Sequence, residues 1–242
     1  YSLEKNSSLN LEDVDTIIHL AHERVYGARM NFLSDPNFYG AKHLIEQAKL
    51  YKIKNIIYLS SHLSHKSTLS QYGKSKLLCE NLFINKDFIA VKTGMVFGGN
   101  ESGLFKLILN QLKYKKIIPI IRSNAPIYPI HVNDLNIFLL NLIKSDKKVK
   151  NIYYLGNKNS IKLKKFFSQI AIKYYNKKIY FVYLPAKIIY LITYFLGYFN
   201  GFFNRIFERV AGVLSLKNLV TEENLNENIE NSLKTTKNFF QE

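Results

Sequence analysis

The sequence predicts an α/β fold built on a parallel sheet, and three observations carry that prediction. Short apolar runs such as Ile17-Ile18 and Ile56-Ile57-Tyr58-Leu59 alternate with stretches of helical periodicity. Strand and helix follow one another in that order through residue 92, the pattern of parallel strands joined by crossover helices. A chain of 242 residues, 47% hydrophobic and 21% charged, suffices for one sizeable core, or for one domain with a smaller lobe.

Taken in order, residues 15–21 read as a short buried strand ending in a turn. Residues 37–51 place Leu44, Ile45, Ala48 and Leu50 at helical spacing. Residues 54–60 form a second buried strand, 61–71 a polar loop, 72–85 a helix with Leu77, Leu78 and Leu82 on one side, and 87–92 a third strand. Further helices are expected over 104–112 and 133–145, a strand over 151–155 ending at Gly156, and a helix over 161–174 with Ser160 as its N-cap. A strand over 179–183 precedes Pro185, and residues 221–242 are polar with a final helix.

The formal net charge is +16. The lysines are scattered and no nucleic-acid motif accompanies them, so the charge reads as a solvated basic surface that favours an anionic small molecule over a specific nucleic acid. A single cysteine, Cys79, excludes an intrachain disulfide framework and a cysteine-based metal site, and fits the reducing cytoplasm. Residues 188–203 are uncharged and mostly apolar, interrupted by Gly197, Asn200 and Gly201. A membrane span needs about 20 apolar residues. This run is shorter, and its reading is a helix packed in a lobe or at a partner surface, in preference to membrane contact.

The segment with the most chemistry is Tyr72-Gly73-Lys74-Ser75-Lys76. A four-residue spacing on a helix puts Tyr72 and Lys76 on one face. A free phenol, with a pKa of about 10, is too weak a base at neutral pH. An ammonium about 4 Å away, at an effective dielectric near 20, contributes roughly 4 kcal/mol toward the phenolate. The phenol can then exchange a proton with a substrate hydroxyl. Just upstream, Ser60-Ser61 end an apolar strand, where a hydroxyl faces the ligand crevice of an open parallel sheet.

These pieces resemble the extended short-chain dehydrogenase/reductases, in particular the NAD-dependent epimerase/dehydratase group. The matching segments run in order: Ile18-His19-Leu20-Ala21, Asn37 with Gly40, Tyr58-Leu59-Ser60-Ser61, Tyr72-Gly73-Lys74-Ser75-Lys76, Gly94-Met95-Val96-Phe97-Gly98 and Pro129-Ile130-His131-Val132-Asn133-Asp134-Leu135. The resemblance implies a Rossmann-like parallel sheet in residues 1–156, with 97–128 contributing to a smaller substrate lobe formed by 157–242. It implies NAD or NADP as cofactor, a nucleotide sugar as substrate, and a homodimer as the assembly. Tyr72 is implied as catalytic acid/base, and Lys76 as its partner and a ligand of the nicotinamide ribose. Ser61 is the implied substrate-orienting hydroxyl, with Ser60 the alternative. Leu20, Ala21, Arg24, Asn37 and Thr93 fall at positions that line or support the cofactor. His131 and Asp134 are read as architectural.

Two departures qualify the resemblance. The family's first strand and Gly-rich turn, which approach the cofactor pyrophosphate, have no counterpart here, so the sheet is expected to be truncated at its N-terminal side and dinucleotide binding by the chain as given to be weak. Members that dehydrate or decarboxylate usually carry an acidic residue just after the strand-end Ser/Thr, whereas Ser61 is followed by His62-Leu63. The expected reaction is therefore epimerisation or keto reduction by reversible hydride transfer. The alternatives are reduction of a non-sugar substrate, or a non-catalytic remnant serving as a binding module.

Overall fold

The computed structural model describes residues 9–23, 35–99, 103–145, 151–157 and 159–217, with Thr236 and Phe239. It is an α/β fold whose main sheet has the strand order β1-β2-β3-β8. Chain order begins with β1 (Thr16–His19), α1 (Pro36–Leu50), β2 (Asn55–Ser61), α2 (Gln71–Ile84) and β3 (Ile89–Thr93). It continues with β4 (Val96–Phe97), α3 (Gly103–Tyr114), β5 (Ile117–Ile120), β6 (Pro126–Ile127), β7 (Ile130–His131), α4 (Val132–Lys144) and β8 (Ile152–Leu155). The described part closes with β9 (Ile161–Lys162), α5 (Leu163–Tyr175), β10 (Tyr180–Tyr183), α6 (Ala186–Gly197) and α7 (Gly201–Ser215). β1 and β2 pair in parallel, Thr16 opposite Asn55 and His19 opposite Tyr58. The bonds from Ala90 to Asn151 and from Gly94 to Leu155 advance in step, so β3 and β8 are parallel too.

Two compact units result, residues 1–92, 146–154 and 191–215 in one, and 93–145, 155–190 and 216–242 in the other. The first has its core where α1 and α2 cover β2: Leu44, Ile45, Ile56, Tyr58, Cys79 and Phe83 are buried together. α1 starts where Asp35, preceding Pro36, accepts a hydrogen bond from the Asn37 amide, a cap that contributes about 1 kcal/mol. α2 starts at Ser70, whose hydroxyl accepts from the Gly73 amide. The second unit is centred on Phe97, Phe105, Leu109, Phe166 and Ile170, all buried. There β5 pairs in parallel with β10, and the Phe97 ring lies 6.0 Å from Phe105 and 6.4 Å from Phe166.

Several expectations are corrected. Leu50 is 74% exposed at the end of α1. The buried face of α2 is not the leucine side. It carries Gln71, Gly73, Ser75, Lys76, Cys79, Glu80 and Phe83, while Leu77, Leu78 and Leu82 are only half-buried. Polar side chains thus face inward on this helix because they bond to other polar groups and to the sheet. Ser160 does not cap a helix: residues 161–162 are a strand paired antiparallel with β6, and α5 begins after it at Leu163, with Lys162 at the N-cap position and no side-chain cap. The short strands β4 to β7 carry too few residues for a period to be read from sequence. The final helix expected within 221–242 lies outside the described residues apart from Thr236 and Phe239.

Candidate active site

The chemistry-bearing side chains of the first unit gather at the C-terminal ends of β1 and β2 and the N-terminal half of α2. Tyr72 is the second residue of α2 and is partly buried. Its ring meets His22, in the turn after β1, edge to face at 4.9 Å. Lys76, one turn on, is 4% exposed. Its ammonium lies 6.0 Å from the Tyr72 ring centre and 4.9 Å from that of Tyr58, and donates to the Leu59 carbonyl at 2.8 Å. An ammonium has three N–H donors, so two remain for neighbours or a ligand. Burial pulls its pKa down from 10.5 to about 8, against the opposing pull of Cys79 and Glu80. Burial also pushes the Cys79 thiol up to about 12, which makes it a poor nucleophile.

The two serines at the end of β2 differ. Ser60 is buried and donates to Glu80 at 2.5 Å. Ser61 is partly buried, and its oxygen accepts from the Leu63 amide at 3.2 Å, which leaves the hydroxyl proton to be donated elsewhere. Beneath Ser60 lies a buried network that the sequence reading missed. Glu80 accepts from Ser60 and Ser64 and pairs with Lys92 at 2.9 Å, and Lys92 donates to the Ser64 carbonyl at 2.8 Å. The signal was available in principle: Lys92 interrupts an apolar strand, and a buried Lys calls for a carboxylate.

Asn37 is a joint. Its amide nitrogen donates to the Glu23 carbonyl at 2.9 Å and to Asp35 at 3.0 Å, its oxygen accepts from the Glu23 amide at 2.6 Å, and Ser75 lies 3.4 Å away. Ser75 in turn donates to Asp35 at 2.5 Å. The turn after β1, the start of α1 and the catalytic-type helix are thereby tied together. Gly73 is required at this junction, since a Cβ there would lie 2.5 Å from the Leu63 carbonyl oxygen and from the Thr68 hydroxyl.

Glu208, on α7, is the second group the sequence did not reveal. Its carboxylate accepts from the Ser70 hydroxyl at 3.1 Å, the Gln71 amide at 3.0 Å and the Tyr72 amide at 3.3 Å. It thus satisfies donors at the positive end of α2. Burial raises its pKa, and those three hydrogen bonds and Lys74 oppose the rise. No local pattern could signal a cap supplied from more than 130 residues away.

Of the remaining predicted positions, Leu20 is 56% exposed and Ala21 half-buried just after β1. Thr93 ends β3, buried. Arg24 lies outside the described residues. His131 caps α4 through the Asn133 amide, and Asp134 accepts from the Thr236 amide and hydroxyl. His62 is half-buried, and desolvation lowers its pKa to about 3, so it is neutral at physiological pH. Among the described residues no group of three or more His, Cys, Asp or Glu is placed to hold a metal ion.

Comparison with known proteins places this geometry in context. Residues 4–182 match the family model described as polysaccharide biosynthesis protein. No curated protein matches the chain. A nucleoside-diphosphate-sugar epimerase from Staphylococcus aureus superposes with a TM-score of 0.64 at 13% identity, over 93% of this chain and 74% of that one. UDP-glucose 4-epimerase from Bifidobacterium longum, solved with NAD+ and UDP, gives 0.59 at 18% identity, over 72% and 65%. An NAD-dependent NDP-hexosamine 5,6-dehydratase of tunicamycin biosynthesis gives 0.58 at 15%, over 72% and 65%. The chain therefore spans just under two thirds of the length of the last two. At such identities the likeness is one of fold, the Rossmann-type fold of NAD-dependent nucleotide-sugar epimerases and dehydratases.

Proposed function

The chain belongs to the polysaccharide biosynthesis protein family, and from that premise we propose that it carries the hydride-transfer site of an NAD- or NADP-dependent epimerase or ketoreductase acting on a nucleotide sugar. The observation that carries this reading is the buried Lys76 ammonium one helical turn from Tyr72, with one N–H on the Leu59 carbonyl and two more to give. Such an arrangement fits a ribose hydroxyl and a phenol oxygen. A bound nicotinamide would supply the hydride acceptor and donor. Leu20, Ala21, Thr93 and Lys76, at or beside strand ends, would hold it, with Asn37 fixing the turn that follows β1. Arg24 belongs to the same proposal by its place in the sequence.

In this mechanism Tyr72 takes the proton of the substrate hydroxyl as the carbon-bound hydrogen leaves as hydride, and returns it when the ketone is reduced. Lys76 holds the phenolate. Ser61 donates to the reacting oxygen through the hydroxyl proton that its bond with Leu63 leaves over. Residues 1–156 serve the dinucleotide in this reading, and 157–242 with 97–128 the sugar. The single cysteine, buried, suits a reducing compartment such as the cytoplasm.

Epimerisation or keto reduction is favoured over dehydration by the state of the carboxylates. Asp35 is taken up by Asn37 and Ser75, Glu80 by Lys92 and two serines, and Glu208 by helix amides. His62, beside Ser61, is neutral. None is set to remove a carbon-bound proton. The test is turnover of UDP-sugars by the full chain with NAD or NADP in deuterium oxide. The proposal expects an epimer or keto sugar without solvent deuterium on carbon. A dehydrated product carrying solvent deuterium would overturn it.

A further inference from the structure

Residues 147–207 contain no Asp or Glu but twelve basic residues, eleven Lys and Arg205. Within this stretch lies α6, whose outer face is bare. Ile188, Leu191, Ile192 and Phe195 recur at i, i+3, i+4 and i+7 and are 55%, 53%, 47% and 65% exposed, and Phe199, in the turn that follows α6, is 85% exposed. At 100° per residue the four helical residues form one apolar stripe. The opposite line of α6, Thr193 and Gly197, is buried, and Tyr194 packs at 5.6 Å on Phe207 of α7. Asn200, between the two helices, caps α7 by accepting from the Phe202 amide at 2.7 Å. The exposed side of α7 shows Phe202, Arg205 and Arg209, three and seven residues apart. The one carboxylate of the two helices, Glu208, is turned inward onto the start of α2. Lys187 flanks the stripe on α6, four residues before Leu191.

We propose that the α6–α7 hairpin seats this protein peripherally on an anionic lipid bilayer, with Phe195, Phe199 and Phe202 in the acyl boundary and Lys187, Arg205 and Arg209 among the headgroups. The inference is independent of the catalytic reading. Among the described residues no helix is long and apolar enough to cross a membrane. At 1.5 Å per residue the 12 residues of α6 reach about 18 Å, against a hydrocarbon core of about 30 Å. The hairpin therefore lies in the interface. A broad apolar stripe flanked by cations and free of carboxylates is the composition that such a position selects. Charge also argues against a second copy as the occupant, because it would set two basic faces against each other in a chain of net charge +16.

The test is sedimentation of the full chain with phosphatidylcholine vesicles, with and without phosphatidylglycerol, at low and high salt. The proposal expects binding to the anionic vesicles at least tenfold tighter than to the neutral ones, weakened by salt. Phe195→Ser with Phe199→Ser should lower that binding at least tenfold. Both side chains are largely exposed, so an unchanged melting temperature identifies a folded variant. Arg205→Gln with Arg209→Gln should weaken binding to anionic vesicles alone. Absence of binding to anionic vesicles, or binding indifferent to both double variants, would overturn the proposal. So would a dimer that the Phe variants dissolve in a chain that ignores lipid, which would assign the face to a second copy.

Discussion

Replacing Lys76 by Met separates what this side chain costs the fold from what it gives the site. The fall of its pKa from 10.5 to about 8 means that carrying the buried charge at neutral pH costs about 3 kcal/mol. Methionine removes that cost but leaves the Leu59 carbonyl without its partner, worth about 1–2 kcal/mol. The net expectation is a variant more stable by about 1–2 kcal/mol at pH 7, a rise of several degrees in melting temperature. Between about 8 and 10.5 the unfolded lysine binds a proton that the folded one has released. Wild-type stability therefore rises with pH across that window on account of this group, and the variant's advantage closes. Turnover moves the other way. The ammonium lies 6.0 Å from the Tyr72 ring centre; a cation at about that range, with an effective dielectric of about 20, stabilises a phenolate by about 3 kcal/mol, roughly a hundredfold in rate. Wild-type turnover should fall as pH climbs through about 8, and the Met variant should lack that limb. Denaturant melts and pH–rate profiles on both proteins check this. A variant that is less stable than wild type and retains turnover within threefold would refute the reasoning.

Other substitutions probe the supports of the site. Glu208→Ala strips the partner from the Gln71 and Tyr72 amides and the Ser70 hydroxyl; a loss of about 2–4 kcal/mol is expected by chemical denaturation. Lys92→Met leaves Glu80 buried without its cation and should cost about 3–5 kcal/mol, whereas adding Glu80→Leu should recover much of the loss; a double-mutant cycle measures the coupling. Gly73→Ala forces a methyl onto the Leu63 carbonyl and should cost about 1–3 kcal/mol, read as a lower melting temperature.

Much of this architecture was legible in the sequence because the strands are short apolar runs and the helices between them are periodic. β1, β2, β3 and β8 were placed within a few residues of their observed bounds. The inward face of α2 was not legible, since hydrophobicity points to Leu77, Leu78 and Leu82, whereas the helix buries Ser75, Lys76 and Glu80, which bond to other polar groups and to the sheet. Tyr72, Lys76 and Ser61 were legible as a spacing. Their supports were not: Asp35, Ser75, Lys92 and Glu208 join elements that lie far apart along the chain, and a hydrogen bond over such separations leaves no local period. The apolar run at 188–203 was visible, but only the coordinates show that it is two helices with one side unpacked.

The central claim is that the Tyr72 hydroxyl carries the proton during hydride transfer. The direct measurement is Tyr72→Phe in the full chain, followed by deuterium transfer from a C-deuterated UDP-sugar to the nicotinamide in a single turnover. The account predicts a rate at least a hundredfold lower with nucleotide binding kept within threefold. Transfer at the wild-type rate, with binding intact, would contradict it.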